Sequence, residues 1–405
     1  MALLGAPARE IPMRIMCVLG LTMSMACSQS ITVDWKSELP GPSESTPLVT
    51  DAFIAVGHEV GLSVLEKNGA ERCVFNKGRD VISAPKTDGK RIFFGCTNYM
   101  FYAIDSGCTE VWSFPAGDRI KSDPLVADGK VYLASYDGHL YALKADTGEE
   151  VWRFPVVSVP MGSDLLAVPV PEPTKSAKLS KARRRAKHKA TELSPPPPVA
   201  KPKSLVVGGF SYSSPILEQG VIYIGNLDHN LYAIDANTGE MRGRFSTNGQ
   251  ITSTPVADNG MLYFGSNDGS VYAIDLETNT QLWSFSTQDW VNSSGRVGDG
   301  ALYIGSNDRH IYALEAISGK LRWKFETTGP AVAIPALYKN LVVAAGASGD
   351  GAIYALQRND GALFWKYETG GSIESDPVIV GDTVFVSSAD RNVYKLKIER
   401  TTADR

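Results

Sequence analysis

Much that an enzyme of this length would need is missing. The 405-residue sequence has no Gly-x-Ser-x-Gly, no His-Glu-x-x-His, no phosphate-binding loop and no dinucleotide fingerprint, so the common signatures of hydrolases, zinc proteases and nucleotide-dependent enzymes are absent. Cysteine is scarce, with five in all and neither Cys-x-x-Cys nor adjacent Cys-Cys, which excludes a zinc knuckle and a vicinal disulfide. Histidine is as rare, at positions 58, 139, 188, 229 and 310. The apolar run from Ile15 to Ala26 is too short to cross a bilayer as a helix. Charge is modest at 21%, against 43% hydrophobic residues, enough apolar material for a sizeable core.

What the chain does have is a repeat. Leu231-Tyr232-Ala233-Ile234-Asp235-Ala236-Asn237-Thr238-Gly239 recurs in variant form with its tyrosine at 102, 141, 232, 272, 312, 354 and 394, and with Ser63 in the same place; the steps are 39, 39, 91, 40, 40, 42 and 40. A period of about 40 marks a propeller or solenoid. A second series, Pro47, Pro85, Pro124, Pro215, Pro255, Gly295, Pro335 and Pro377, also counts eight. Within a repeat the apolar pattern alternates with period two, and Asp137-Gly138, Asp228-His229, Asp268-Gly269, Asp308-Arg309 and Asp390-Arg391 join apolar runs as hairpin turns. Each repeat is therefore four short strands. Trp112, Trp152, Trp283, Trp323 and Trp365 share one place on the fourth, where large indoles are expected to pack between neighbouring repeats.

The last repeat ends near Arg400 without a fourth strand, and Val33-Asp34-Trp35-Lys36 supplies one from the other end. The expected fold is all-β: an eight-bladed propeller of four-stranded antiparallel blades spanning residues 33–400, its ring closed by an N-terminal strand around Trp35 so that no open edge remains. On this reading Trp35→Ala weakens ring closure.

Residues 1–26, or 13–26 if the chain starts at Met13, read as a secretory signal, with Arg14 ahead of the apolar run. Ser24-Met25-Ala26-Cys27 resembles the bacterial lipobox, which implies lipid attachment at Cys27 and a short tether over 27–32; Ser28 in place of Asp points to the outer membrane. Cys73 stands where other repeats have Trp and reads as a small buried hydrophobe. Cys96 and Cys108 fall near opposite ends of one hairpin, and free thiols are expected. His139 and His310 share one repeat position and His229 is displaced by one; they read as turn residues rather than metal ligands, and no metal or other cofactor is expected. Residues 160–210 interrupt the repeats with Pro195 to Pro198 and ten Lys and Arg, including Arg183, Arg184 and Arg185, against three acids. This basic, proline-rich insert reads as a solvated loop or as an electrostatic contact to an anionic envelope polymer or an acidic protein surface. An exported chain seldom meets nucleic acid, so no such partner is expected. Residues 401–405 are a tail. Trp290 lies outside the repeat position and is either an exposed partner contact or a packing residue between blades five and six.

Ala233-x-Asp235-x-x-Thr238-Gly239, Ala142-x-Lys144-x-x-Thr147-Gly148-x-x-x-Trp152 and Ala313-x-Glu315-x-x-Ser318-Gly319-x-x-x-Trp323 resemble the tryptophan-docking repeat of the pyrroloquinoline-quinone-like propellers. Within that superfamily, an exported lipoprotein with eight blades and little else is similar to the BamB-like outer-membrane assembly lipoproteins. The resemblance implies a non-enzymatic periplasmic scaffold that docks on the central barrel-assembly protein and aids nascent outer-membrane proteins. Two alternatives are a quinoprotein dehydrogenase and a periplasmic adaptor or sensor propeller. The alcohol dehydrogenases among the quinoproteins carry a vicinal Cys-Cys that this sequence lacks.

Overall fold

A computed structural model describes residues 30–156 and 212–399, apart from 78, 347 and 348. All regular structure among these residues is β, in eight four-stranded antiparallel sheets arranged as the blades of a propeller. Blade 1, for example, runs outward from the axis through Leu48–Val49, Ile54–His58, Gly61–Leu65 and Glu71–Phe75. Blade 8 is composite. Val378–Val380, Thr383–Ser388 and Asn392–Glu399 are joined on the outside by Ser30–Glu38, with Trp35 opposite Lys395 and Glu38 opposite Asn392. The expected closure by the first strand is thus present, and the pairing extends to Ser30, three residues before the expected start.

The hydrophobic cores lie between blades rather than within them. One cluster combines Phe93 and Trp112 of blade 2 with Val131 and Tyr141 of blade 3. A blade is a single sheet with two apolar faces, so each needs a neighbour on both sides and the ring must close.

The way outer tryptophans meet the next blade explains several residue choices at once. Trp112, Trp152, Trp283, Trp323 and Trp35 lie on Gly148, Gly239, Gly319, Gly361 and Gly69, where an added Cβ would come within 2.6 to 2.9 Å of the indole. Each of these glycines has positive φ, and each indole Nε1–H donates to a carbonyl in the same turn, as from Trp283 to Ala316 O at 2.9 Å. Where the tryptophan is missing, so is the glycine. Gly243 takes the indole's place in blade 4, opposite Ala233, and the matching turn of blade 5 holds Asn279 at φ 53°.

Cys73 and Cys108 are the remaining exception, and they overturn the expectation of free thiols. Cys73 takes the Trp place, opposite Val64, Cys108 takes the glycine place at φ 62°, and the two form a disulfide between blades 1 and 2 with Cα atoms 6.0 Å apart. A covalent bond replaces the indole-on-glycine contact. Cys96 alone is a free thiol among the described residues, and it is buried.

Trp365 fits the same scheme. It packs on Leu396 and Ile398 of blade 8, but the third and fourth strands of that blade come from opposite ends of the chain. No connecting turn lies between them, and the Trp365 Nε1–H has no acceptor among the described residues.

Candidate functional site: the axial channel

The proline series fixes the geometry of the channel. One residue before each Pro, or Gly295, stand Thr46, Ala84, Asp123, Ser214, Thr254, Ser294, Ile334 and Asp376, and all eight line the axial cavity. They are stitched around the axis, with six of the eight backbone N–H groups donating to the side chain of the counterpart one blade on. Ala84 donates to Asp123 (2.7 Å), Asp123 to Ser214 (2.9 Å), Ser214 to Thr254 (2.9 Å), Thr254 to Ser294 (2.7 Å), Ile334 to Asp376 (2.6 Å) and Asp376 to Thr46 (2.9 Å). The two remaining junctions face Ala84 and Ile334, which offer no acceptor. There the preceding serine reaches across instead, Ser45 Oγ to Ser83 O at 2.9 Å and Ser293 Oγ to Ala333 O at 3.3 Å. Elsewhere that serine serves its own blade, as Ser253 Oγ does with Gly265.

Three residues before each Pro is a second ring, at the channel mouth: Glu44, Ile82, Lys121, Tyr212, Thr252, Asn292, Val332 and Glu374. This ring is as varied as the turns are uniform. Loss of hydration in the mouth raises the pKa of Glu44, and Glu374 and Asp80 add to the rise through their charges. Glu374 is raised by the same desolvation, with Lys121 opposing. Lys121 donates to Tyr212 Oη at 2.9 Å and stands 4.8 Å from the centre of that ring. Deeper in, burial lifts Asp376 to about 6, and the charge of Asp123 contributes to the rise.

Trp290 stands on the rim above these rings and is 53% exposed, so it is not a buried packing residue between blades five and six. Its backbone is held by blade 6, where the Asn307 N–H and Ser306 Oγ donate to its carbonyl at 2.9 and 3.1 Å. Cys27, Arg183, Arg184 and Arg185 lie outside the described residues.

The turn aspartates do more than turn. Asp137, Asp228, Asp268, Asp308, Asp350 and Asp390 each accept from the repeat tyrosine four residues on, at 2.5 to 2.7 Å. Five of them also accept a backbone N–H from the preceding blade, as Asp268 does from Asn248. They tie blades together, and the tyrosine pKa values rise through burial and the adjoining carboxylate. His139 and His310 sit against Asp137 and Asp308, and His229 occupies the turn at φ 72°. Blade 1 has no Tyr–Asp pair. His58 meets Ser63 there at 3.0 Å, and burial pushes the imidazole down to about 4.

A resident quinone is not matched by these residues. Pyrroloquinoline quinone is a tricarboxylate, and among the described residues the channel wall sets Glu44, Asp123, Glu374 and Asp376 against Lys121, Lys86 and Arg296. No group of three or more His, Cys, Asp or Glu among the described residues is placed to hold a metal ion.

The Pro register was visible in the sequence, and counting back from it would have located both rings. Which of their members carry function was not, because one residue per blade varies independently there.

A family model described as outer membrane protein assembly factor BamB matches residues 62–170, 177–296, 287–349 and 340–404. Two curated relatives match shorter stretches. The serine/threonine-protein kinase AfsK of Streptomyces griseus is 28% identical over 250 residues, 50% of this chain and 30% of that protein. The outer membrane protein assembly factor BamB of Burkholderia pseudomallei is 26% identical over 120 residues, 29% of this chain and 32% of that protein. The chain thus spans about a third of the length of each. Among solved structures, BamB from Moraxella catarrhalis superposes with a TM-score of 0.70 at 15% identity, over 91% of this chain and 100% of that one. Quinohemoprotein alcohol dehydrogenase from Comamonas testosteroni gives 0.66 at 14%, over 91% and 76%. At such identity the structures attest the fold alone.

Proposed function

We propose, from the premise that this chain belongs to the outer membrane protein assembly factor BamB family, that it is a non-enzymatic periplasmic scaffold. In this reading it is held at the outer membrane by a lipid on Cys27, docks on the central barrel-assembly protein and aids insertion of nascent outer-membrane proteins. The observation that carries the reading is the reach of the family match, which runs through nearly the whole propeller. Two features support it. The described residues offer a rigid ring with varied loops rather than converging catalytic groups, and the carboxylate-rich channel is a poor host for an anionic quinone. Arg183, Arg184 and Arg185 in the basic insert are candidate contacts to an anionic surface, and Trp290 is the candidate contact on the propeller itself, since exposed indoles are frequent binding anchors.

The test is affinity purification of the tagged full-length protein from its own membranes, with mass spectrometry of what accompanies it. Recovery of the central barrel-assembly protein, falling when Cys27 is replaced by Ala, is the expected result. Recovery of a cytochrome together with a bound, absorbing quinone would overturn the scaffold in favour of a dehydrogenase.

A further inference from the structure

We infer that the channel mouth beneath Trp290 is a binding site for a neutral saccharide, of the kind carrying hydroxyl and acetamido groups. The inference stands on the geometry of the mouth and does not require docking on the assembly machinery.

The cavity has a volume of about 480 Å³, inside the range of roughly 300–1,000 Å³ typical of small-molecule sites. Its lining is unusual for an apolar ligand. Gln250, Asn267, Asn292 and Asn307 place four amides around it. The side-chain oxygens of Asn292 and Asn307 are buried and have no hydrogen-bond partner among the described residues. An unpaired buried acceptor is costly, and turning these amides toward the channel would pair them with a ligand rich in O–H and N–H donors. Glu44 and Glu374 add further acceptors.

Charge narrows the class. Among the described residues, an anionic ligand would meet Glu44, Glu374, Asp123 and Asp376 with Lys121 as the one cation in the mouth, and that ammonium is already engaged by Tyr212. A neutral ligand escapes this repulsion. Trp290 supplies what a sugar ring additionally needs, an exposed flat aromatic face at the rim. The backbone behind it is fixed to blade 6, so little freedom is lost when a ring stacks on it.

An extended peptide also carries donors and acceptors, but at the level of the stitched ring the wall has few backbone donors to give it: the N–H groups of Ala84, Asp123, Ser214, Thr254, Ile334 and Asp376 are already donated to neighbouring blades.

The test uses the full-length purified protein in detergent, with triacetylchitotriose as probe, followed by calorimetry and by indole fluorescence. The expected result is saturable binding, about tenfold or more weaker in Trp290→Ala and in Asn307→Ala, the usual scale for losing an anchor. Trp290→Ala leaves the unfolding midpoint in place, because the indole is exposed, so its loss of binding is not misfolding. Absence of saturable binding up to about 10 mM, tenfold above a Kd of about 1 mM, overturns the assignment. So does equal binding by the variants. Binding of a hydrophobic hexapeptide with no response to the saccharide would assign the rim to polypeptide instead.

Discussion

Cys73 and Cys108 join blade 1 to blade 2 by a disulfide at the place where, one blade on, Trp112 lies against Gly148. Two solutions to one packing problem stand side by side. The indole fills the gap over a side-chain-free turn, whereas the disulfide spans it and tolerates a Cβ at a left-handed position. Cross-linking residues 35 apart stabilises by about 3–4 kcal/mol in the chain-entropy description. Reduction, or Cys73→Ser, is expected to lower the denaturation midpoint accordingly. Thiol titration of the non-reduced propeller should find Cys96 reactive only after unfolding; a second titratable thiol from this set would refute the bridge.

Trp35 is the only indole that closes the ring, lying on Gly69 and edge-on to Phe385 at 6.3 Å. It is half-buried, so Trp35→Ala should cost about 3 kcal/mol, the low end for removing a packed aromatic. Calorimetric unfolding gives the check. An unchanged transition would mean that blade 8 closes without it.

Gly148 and Gly129 both have positive φ, 74° and 72°. Only Gly148 has an indole over it, and an added Cβ at Gly129 meets nothing within 4 Å. Gly129→Ala should therefore cost about 1 kcal/mol from conformation alone, and Gly148→Ala clearly more. Equal losses in chemical denaturation would show that the docking contact does not constrain the residue.

Asp376 contributes a pH dependence of its own. Its folded pKa of about 6 lies above the ordinary carboxylate value, with burial the first cause. The folded state therefore favours the protonated form. That contribution is complete below about pH 4 and is lost as pH rises through 6. Asp376→Asn keeps an acceptor for the Ile334 N–H and removes the titration, so relative to the parent it should gain about 1–3 kcal/mol above pH 6.5 and nothing near pH 4. Parallel stability curves for the two proteins would rule this out.

The ring, its eight blades, the closing strand and the docking place of the tryptophans were all legible, because period and alternation are properties of the chain itself. The disulfide was not. Blade 2 makes its turn one residue shorter, as Asp105-Ser106-Gly107-Cys108, and the visible Gly107 draws the register away from Cys108, which holds the left-handed place. Trp290 stayed open between burial and exposure because it lies in a connection, where strand alternation says nothing. The turn aspartates were recognised as turns, but their bonds to the preceding blade depend on how blades stack, and that is set only in three dimensions.

The composite blade also makes closure a long-range event. The strand Ser30–Glu38 pairs with Asn392–Glu399, so the two partners lie at opposite ends of the described chain. Until they pair, each keeps one edge unsatisfied, and an arc of the other seven blades has an exposed flank at each end. An unclosed ring is thus open to capture, by a chaperone or by another copy of itself, until that last pairing forms.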